Sequence, residues 1–224
     1  MNWEESKALT PLKRDFLRRF AERNQAFYLT GGSALGIFYL EHRLSYDLDF
    51  FTLDAGAVNW HLLENQIIAL TAEISARCRT LTASPEFHRF ELTRGADREI
   101  LDFVIERAPQ VDRQKEQFGN VRVDTLREIM VNKVCTLVGR CEVKDLVDLY
   151  FLHKRGLEVA NHFAAAQTKE GGLEPAMISF LLSQVKVDRP PDYLLQPLDL
   201  ADFNRFIRNL QKSMADLALP DGHG

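Results

Sequence analysis

The sequence has 224 residues, 46% of them hydrophobic and 27% charged, the composition of a folded globular protein with a sizeable core rather than of a disordered or fibrous chain. A net charge of -4 gives none of the bulk basic character of a nucleic-acid binder. No run approaches the roughly 20 apolar residues that cross a bilayer. The polar start, with Glu4, Glu5 and Lys7, lacks a signal-peptide core, so a cytoplasmic protein without membrane association is expected. The three cysteines, Cys78, Cys135 and Cys141, are odd in number and form no CxxC pair. That suggests neither a disulfide framework nor a zinc ribbon and predicts reduced, mostly buried thiols.

Thr10-Pro11 reads as an N-cap followed by proline at the first helical position, opening a helix to about Arg23. Its arginines, Arg14, Arg18, Arg19 and Arg23, read as a solvated charged face. Residues 26–29 form a short strand-like run, Gly31-Gly32 breaks it, and Ser33 opens an apolar helical stretch to Leu40. A strand over 47–52 follows, then an amphipathic helix over about 58–76. Segments 87–93 and 99–105, separated by Arg94-Gly95-Ala96-Asp97, predict an antiparallel hairpin.

From about Val123 the pattern becomes helical, so a mixed α/β domain over 1–122 and a C-terminal helical domain over 123–219 are expected. Thr125 to Glu128 fits a capping box. Leu126, Ile129, Met130, Val134 and Leu137 make an apolar stripe into which Lys133 falls. That ammonium either extends out along its stem or reaches a phosphate or carboxylate. The next helix, about 143–154, is apolar nearly all round yet holds Asp145 and Asp148, for which Lys133 or Arg140 would be partners. Lys144 and Asp148 are also spaced for a contact one turn apart. A loop over 187–191, a helix carrying Leu200, Phe203, Ile207, Leu210 and Met214, and a frayed Asp221-Gly222-His223-Gly224 tail complete the chain.

The chemistry concentrates near the N-terminal half. In Asp47-Leu48-Asp49-Phe50-Phe51 the two carboxylates, two residues apart on a strand, project from one face and can share hard divalent cations. Thr30-Gly31-Gly32-Ser33 lies between a strand and a helix, where glycines let backbone amides approach a phosphate. A plain turn with a serine N-cap would look the same. Asp102, within Ile100-Leu101-Asp102-Phe103-Val104-Ile105, is an acid among strand-forming apolar residues that must be paired, hydrogen-bonded or metal-bound. Arg43, ahead of the acidic strand, is placed to contact a triphosphate or to neutralise the acids.

Taken together, Gly31-Gly32-Ser33, then Asp47-Leu48-Asp49, then an isolated later acid resemble the nucleotidyltransferase-fold (DNA polymerase β-like) superfamily. Gly31 to Leu35, Arg43 to Phe51 and the segment 133–152 look like the AbiEii/AbiGii toxin family. The resemblance implies a nucleotidyltransferase fold, a mixed sheet flanked by helices and followed by a helical region. It implies Mg²⁺ or Mn²⁺ on Asp47, Asp49 and Asp102, an NTP on Gly31, Gly32, Ser33 and Arg43, and roles for Lys133 and Asp145 in nucleotide handling or catalysis. It further implies a toxin with a cognate antitoxin and an acceptor that is tRNA or protein. A small-molecule nucleotidyltransferase and a non-catalytic nucleotide- or partner-binding module are the alternatives.

Overall fold

A computed structural model describes residues 2–139 and 141–219, so Arg140 and the 221–224 tail lie outside the described residues. The chain divides into two compact units: one runs to Ala108 and includes Arg113–Thr125, the other takes Pro109–Asp112 and the chain from Leu126 onward.

In the first unit, helix α1 (Pro11–Arg23) begins where expected, with Thr10 Oγ1 accepting the Lys13 amide at 3.0 Å. Strand β1 (Tyr28–Thr30) runs into the short helix α2 (Gly31–Ala34), which widens into a π-helical turn over Leu35–Leu40. Strand β2 (Asp47–Thr52), helix α3 (Trp60–Glu73) and strands β3 (Arg77–Ala83), β4 (Phe87–Arg94) and β5 (Asp97–Ile105) follow, and then the short β6 (Glu116–Phe118) and β7 (Val121–Val123). The strands form one mixed sheet in the order β3-β4-β5-β2-β1-β7-β6. β2 pairs parallel with β5, and β1 parallel with β7; the other pairs are antiparallel.

Alternation along β2 sends Leu48, Phe50 and Thr52 inward and leaves Asp47 and Asp49 half-buried on the opposite face. The inward side chains meet α1: the Phe20 ring lies 4.8 Å from Phe50 and 5.4 Å from Phe103, centroid to centroid. Burying such aromatic clusters contributes about 1.5–3 kcal/mol per side chain, so one face of β2 is fixed to the core and the acidic face is fixed by consequence. The arginines of α1 line its outer face, Arg18 and Arg23 exposed and Arg14 and Arg19 half-buried, and Arg18, Arg19 and Arg23 carry surface ion pairs. Arg23 donates both terminal nitrogens to Glu73 at 2.7 and 2.9 Å, and Arg19 reaches the same carboxylate.

The second unit holds helices α4 (Leu126–Gly139), α5 (Val143–His153), α6 (Val159–Lys169), α7 (Pro175–Ser183) and α8 (Leu200–Ala218). Glu128, fully buried on α4, accepts the amides of Val111 at 2.8 Å and Asp112 at 2.7 Å and the ammonium of Lys169. Aromatic packing joins α5 to α8 through Tyr150, Phe203 and Phe206. Among the described residues no helix is long and apolar enough to cross a membrane.

Three expectations are corrected. Strands β3, β6 and β7 were not foreseen, the helix expected over 58–76 is shorter, and all three cysteines are free but only half-buried. Burial still pushes the Cys78 and Cys135 thiols up to about 11, which keeps them protonated near neutral pH.

Candidate active site

The parallel register of β2 and β5 sets Asp49 directly opposite Asp102, with Asp47 opposite Ile100. Asp102 shares a side with Ile100 and Val104 while Leu101, Phe103 and Ile105 face the core, so all three carboxylates project from one face. They offer ligand oxygens that lie within 4.8 Å of one another. An all-carboxylate oxygen set at this separation suits a hard divalent cation such as Mg²⁺ or Mn²⁺.

The glycine turn stands against this cluster. Gly31 has φ +70°, a left-handed conformation, and a Cβ built there would lie 2.3 Å from Asp49 Oδ2. A Cβ on Gly32 would lie 2.2 Å from Arg43 Nη2. A side chain at either glycine would displace what sits against it, a carboxylate in the first case and a guanidinium in the second, and at Gly31 it would also strain the backbone. Ser33 does not present a free hydroxyl. It is buried, and its Oγ donates to the Asp47 carbonyl, tying the turn to the start of β2.

Arg43 is buried, donates to the Leu44 carbonyl at 2.9 Å, and lies between the glycine turn and the segment leading into β2. Ser45 Oγ donates to Asp47 Oδ1 at 2.9 Å, and the Ser45 carbonyl accepts from Lys13 Nζ at 2.5 Å. Lys13 is 1% exposed and also meets Glu99 Oε2 at 3.1 Å. A buried lysine of α1 thus anchors the loop that presents the first carboxylate. Sequence reading missed it, because Lys13 stands among other cationic residues of α1 and only tertiary contact distinguishes it.

Arg89 was also missed. It lies opposite Asp102 across β4 and β5 and grips that carboxylate bidentately, Nε to Oδ1 at 2.7 Å and Nη2 to Oδ2 at 2.6 Å. Its pKa is raised, first by this bond and further by the charges of Asp102, Asp47 and Asp49. The signal was present: Arg94 pairs with Asp97 across the Gly95-Ala96 turn, and counting outward from that turn places residue 89 opposite 102.

Lys133 and Asp145 lie in the helical unit. Lys133 Nζ meets Asp145 Oδ1 at 2.8 Å and Asp148 Oδ2 at 2.7 Å, and both aspartates are fully buried. Of the alternatives for this lysine, the carboxylate contact is the one present. Lys144 does not meet Asp148: it pairs with Glu142 at 2.9 Å, outside the buried trio, because Asp148 faces inward.

A mixed sheet bearing paired acids on one strand, a third acid on its parallel neighbour and a glycine turn against them defines a nucleotidyltransferase fold. The model of the AbiEii nucleotidyltransferase toxin family, a type IV toxin-antitoxin system, matches residues 15–219, and the chain belongs to that family. JHP933 from Helicobacter pylori shares the fold at TM-score 0.58 and 20% identity over 92% of this chain and 90% of that one. The nucleotidyltransferase toxin MenT4 from Mycobacterium tuberculosis does so at TM-score 0.57 and 12% identity, over 98% and 84% of the two chains. No curated protein sequence matches the chain.

Proposed function

We propose that this nucleotidyltransferase transfers NMP from an NTP to the hydroxyl of a tRNA or protein acceptor, using divalent cations held by Asp47, Asp49 and Asp102. The observation that carries this reading is the meeting of the three carboxylates beside a glycine turn that packs directly against Asp49 and Arg43. Mg²⁺ or Mn²⁺ would supply, when bound, compensation for the negative charge of the phosphates and of the two oxygens, one attacking and one departing.

The chain's own residues do the rest. Backbone amides of Gly31, Gly32 and Ser33 receive the triphosphate, and Arg43, already against Gly32, adds positive charge there. Asp102 takes up the proton of the acceptor hydroxyl as that oxygen bonds to the α-phosphorus. The bond from α-phosphorus to the bridging oxygen breaks, and pyrophosphate leaves. Lys133 and Asp145 carry the nucleotide-handling role that the family resemblance implies. Membership in a toxin-antitoxin family further supports a cytoplasmic toxin restrained by a cognate antitoxin.

The test is transfer of α-labelled NTP in Mg²⁺ to total RNA, to cell protein and to small metabolites, by wild type and Asp49→Asn. Label on RNA or protein from wild type alone is expected. Equal labelling by the two proteins overturns the mechanism, and label confined to small metabolites overturns the acceptor.

A further inference from the structure

We propose that Arg89 is a placeholder for the divalent cation. It holds the Asp102 carboxylate while no cation is bound and yields it when one enters, so the charge on Arg89 sets how tightly the centre takes a metal ion. This rests on reading Asp47, Asp49 and Asp102 as a cation site.

Three carboxylates with oxygens within 4.8 Å of one another repel, and something cationic must compensate them. Arg89 does so by capturing both oxygens of Asp102, the most buried of the three acids. The guanidinium already occupies one lone-pair direction on each oxygen of Asp102, and a divalent ion drawing on the same carboxylate meets that positive charge at short range. Sharing is the costly arrangement; exchange is the cheap one.

The geometry provides for exchange. The Asp102 side chain is 9% exposed and is held in β5, whereas that of Arg89 is 43% exposed and free to move without unpacking the core. Arg89 also has a second partner that does not depend on Asp102: its Cζ lies 5.5 Å from the centroid of the Phe87 ring, two residues back on the same face of β4, a cation–π contact made alongside the carboxylate pair.

Competition and mere orientation predict opposite signs. A residue that only aimed Asp102 would weaken metal binding when removed, as outer partners of metal ligands usually do. A residue that competes for Asp102 strengthens it. The measurement is Mn²⁺ affinity without nucleotide, read by the EPR signal of free Mn²⁺, for wild type, Arg89→Gln, Arg89→Lys, Asp102→Asn and the Arg89→Gln/Asp102→Asn pair. Arg89→Gln is expected to bind about tenfold tighter than wild type and to melt at lower temperature in EDTA. Arg89→Lys keeps the charge but cannot span both oxygens, so it binds as tightly as wild type or more so. In the Asp102→Asn background the Arg89→Gln change shifts affinity less than about twofold.

Equal or weaker binding by Arg89→Gln overturns the proposal, as does a tightening that persists undiminished without Asp102. Should Arg89→Gln fold too poorly to measure, Arg89→Lys decides: binding about tenfold weaker than wild type overturns it. Failure of every protein, wild type included, to take up Mn²⁺ refutes the cation site itself, an outcome distinct from a wrong sign at Arg89.

Discussion

Asp49 and Asp102 stand directly opposite one another on β2 and β5, and the Cα of Gly31 faces the Asp49 carboxylate so closely that a Cβ would lie 2.3 Å from Oδ2. Gly31→Ala therefore carries two penalties. The left-handed backbone at φ +70° costs an L residue about 1–2 kcal/mol, and the methyl must push Asp49 out of line. Denaturant unfolding is expected to show that loss of stability, and Mn²⁺ affinity should fall by about tenfold. A variant with wild-type metal affinity would show that Asp49 does not need its observed position.

Ser45 contributes more gently. Its hydroxyl donates to Asp47 Oδ1 at 2.9 Å, orienting one oxygen and leaving the other for a cation. Ser45→Ala should cost about 1 kcal/mol of stability and about tenfold in metal affinity. If affinity is unchanged while stability falls, the bond serves the loop and not the carboxylate.

Much of this centre is legible in the sequence, because a strand with one apolar face has no freedom in where its other residues point. Leu48 and Phe50 fix Asp47 and Asp49; Leu101 and Phe103 fix Asp102. What alternation cannot supply is register between strands, which is why Arg89 escaped notice although the Gly95-Ala96 turn encodes its pairing. β3 escaped for a different reason: as an edge strand it is exposed at nearly every position, so no period-two pattern of apolar residues marks it. β6 and β7 are too short for any pattern to register. The π-helical widening after Ala34 and the burial of Lys13 arise from tertiary packing around otherwise ordinary helical residues.

Lys133 allows a separation of scaffold from chemistry. Asp145 and Asp148 are fully buried and both meet its ammonium, so Lys133→Met leaves two buried carboxylates without that cation. Stability is expected to fall by about 3–5 kcal/mol, measured as the urea midpoint at constant slope. Lys133→Met/Asp145→Asn/Asp148→Asn should recover a large part of it. A single variant within about 1 kcal/mol of wild type would contradict a structural role and leave Lys133 free for nucleotide alone.

The bond between Tyr150 and Asp202 gives the helical unit a pH dependence with two edges. Tyr150 Oη donates to Asp202 Oδ2 at 2.7 Å, and Lys154 and Arg205 also reach that carboxylate. Hydrogen bonding, first from Tyr150 and then from Arg205, lowers Asp202 from 3.8 to about 2. A depressed carboxylate stabilises the fold above its unfolded pKa, so this contribution is complete above about pH 4 and fades as pH falls toward 2. Tyr150 behaves in the opposite sense. Burial and the same hydrogen bond raise its phenol from 10.0 to about 12, so its contribution is whole below pH 10 and is lost as pH rises toward 12. Melting temperatures of wild type and Asp202→Asn across pH should therefore differ most near neutrality and converge below pH 4 as the wild-type advantage disappears. Tyr150→Phe should abolish the alkaline edge while keeping an acid edge from Lys154 and Arg205. A wild-type advantage over Asp202→Asn that persists undiminished down to pH 2 would show that the carboxylate is not held ionised by these partners.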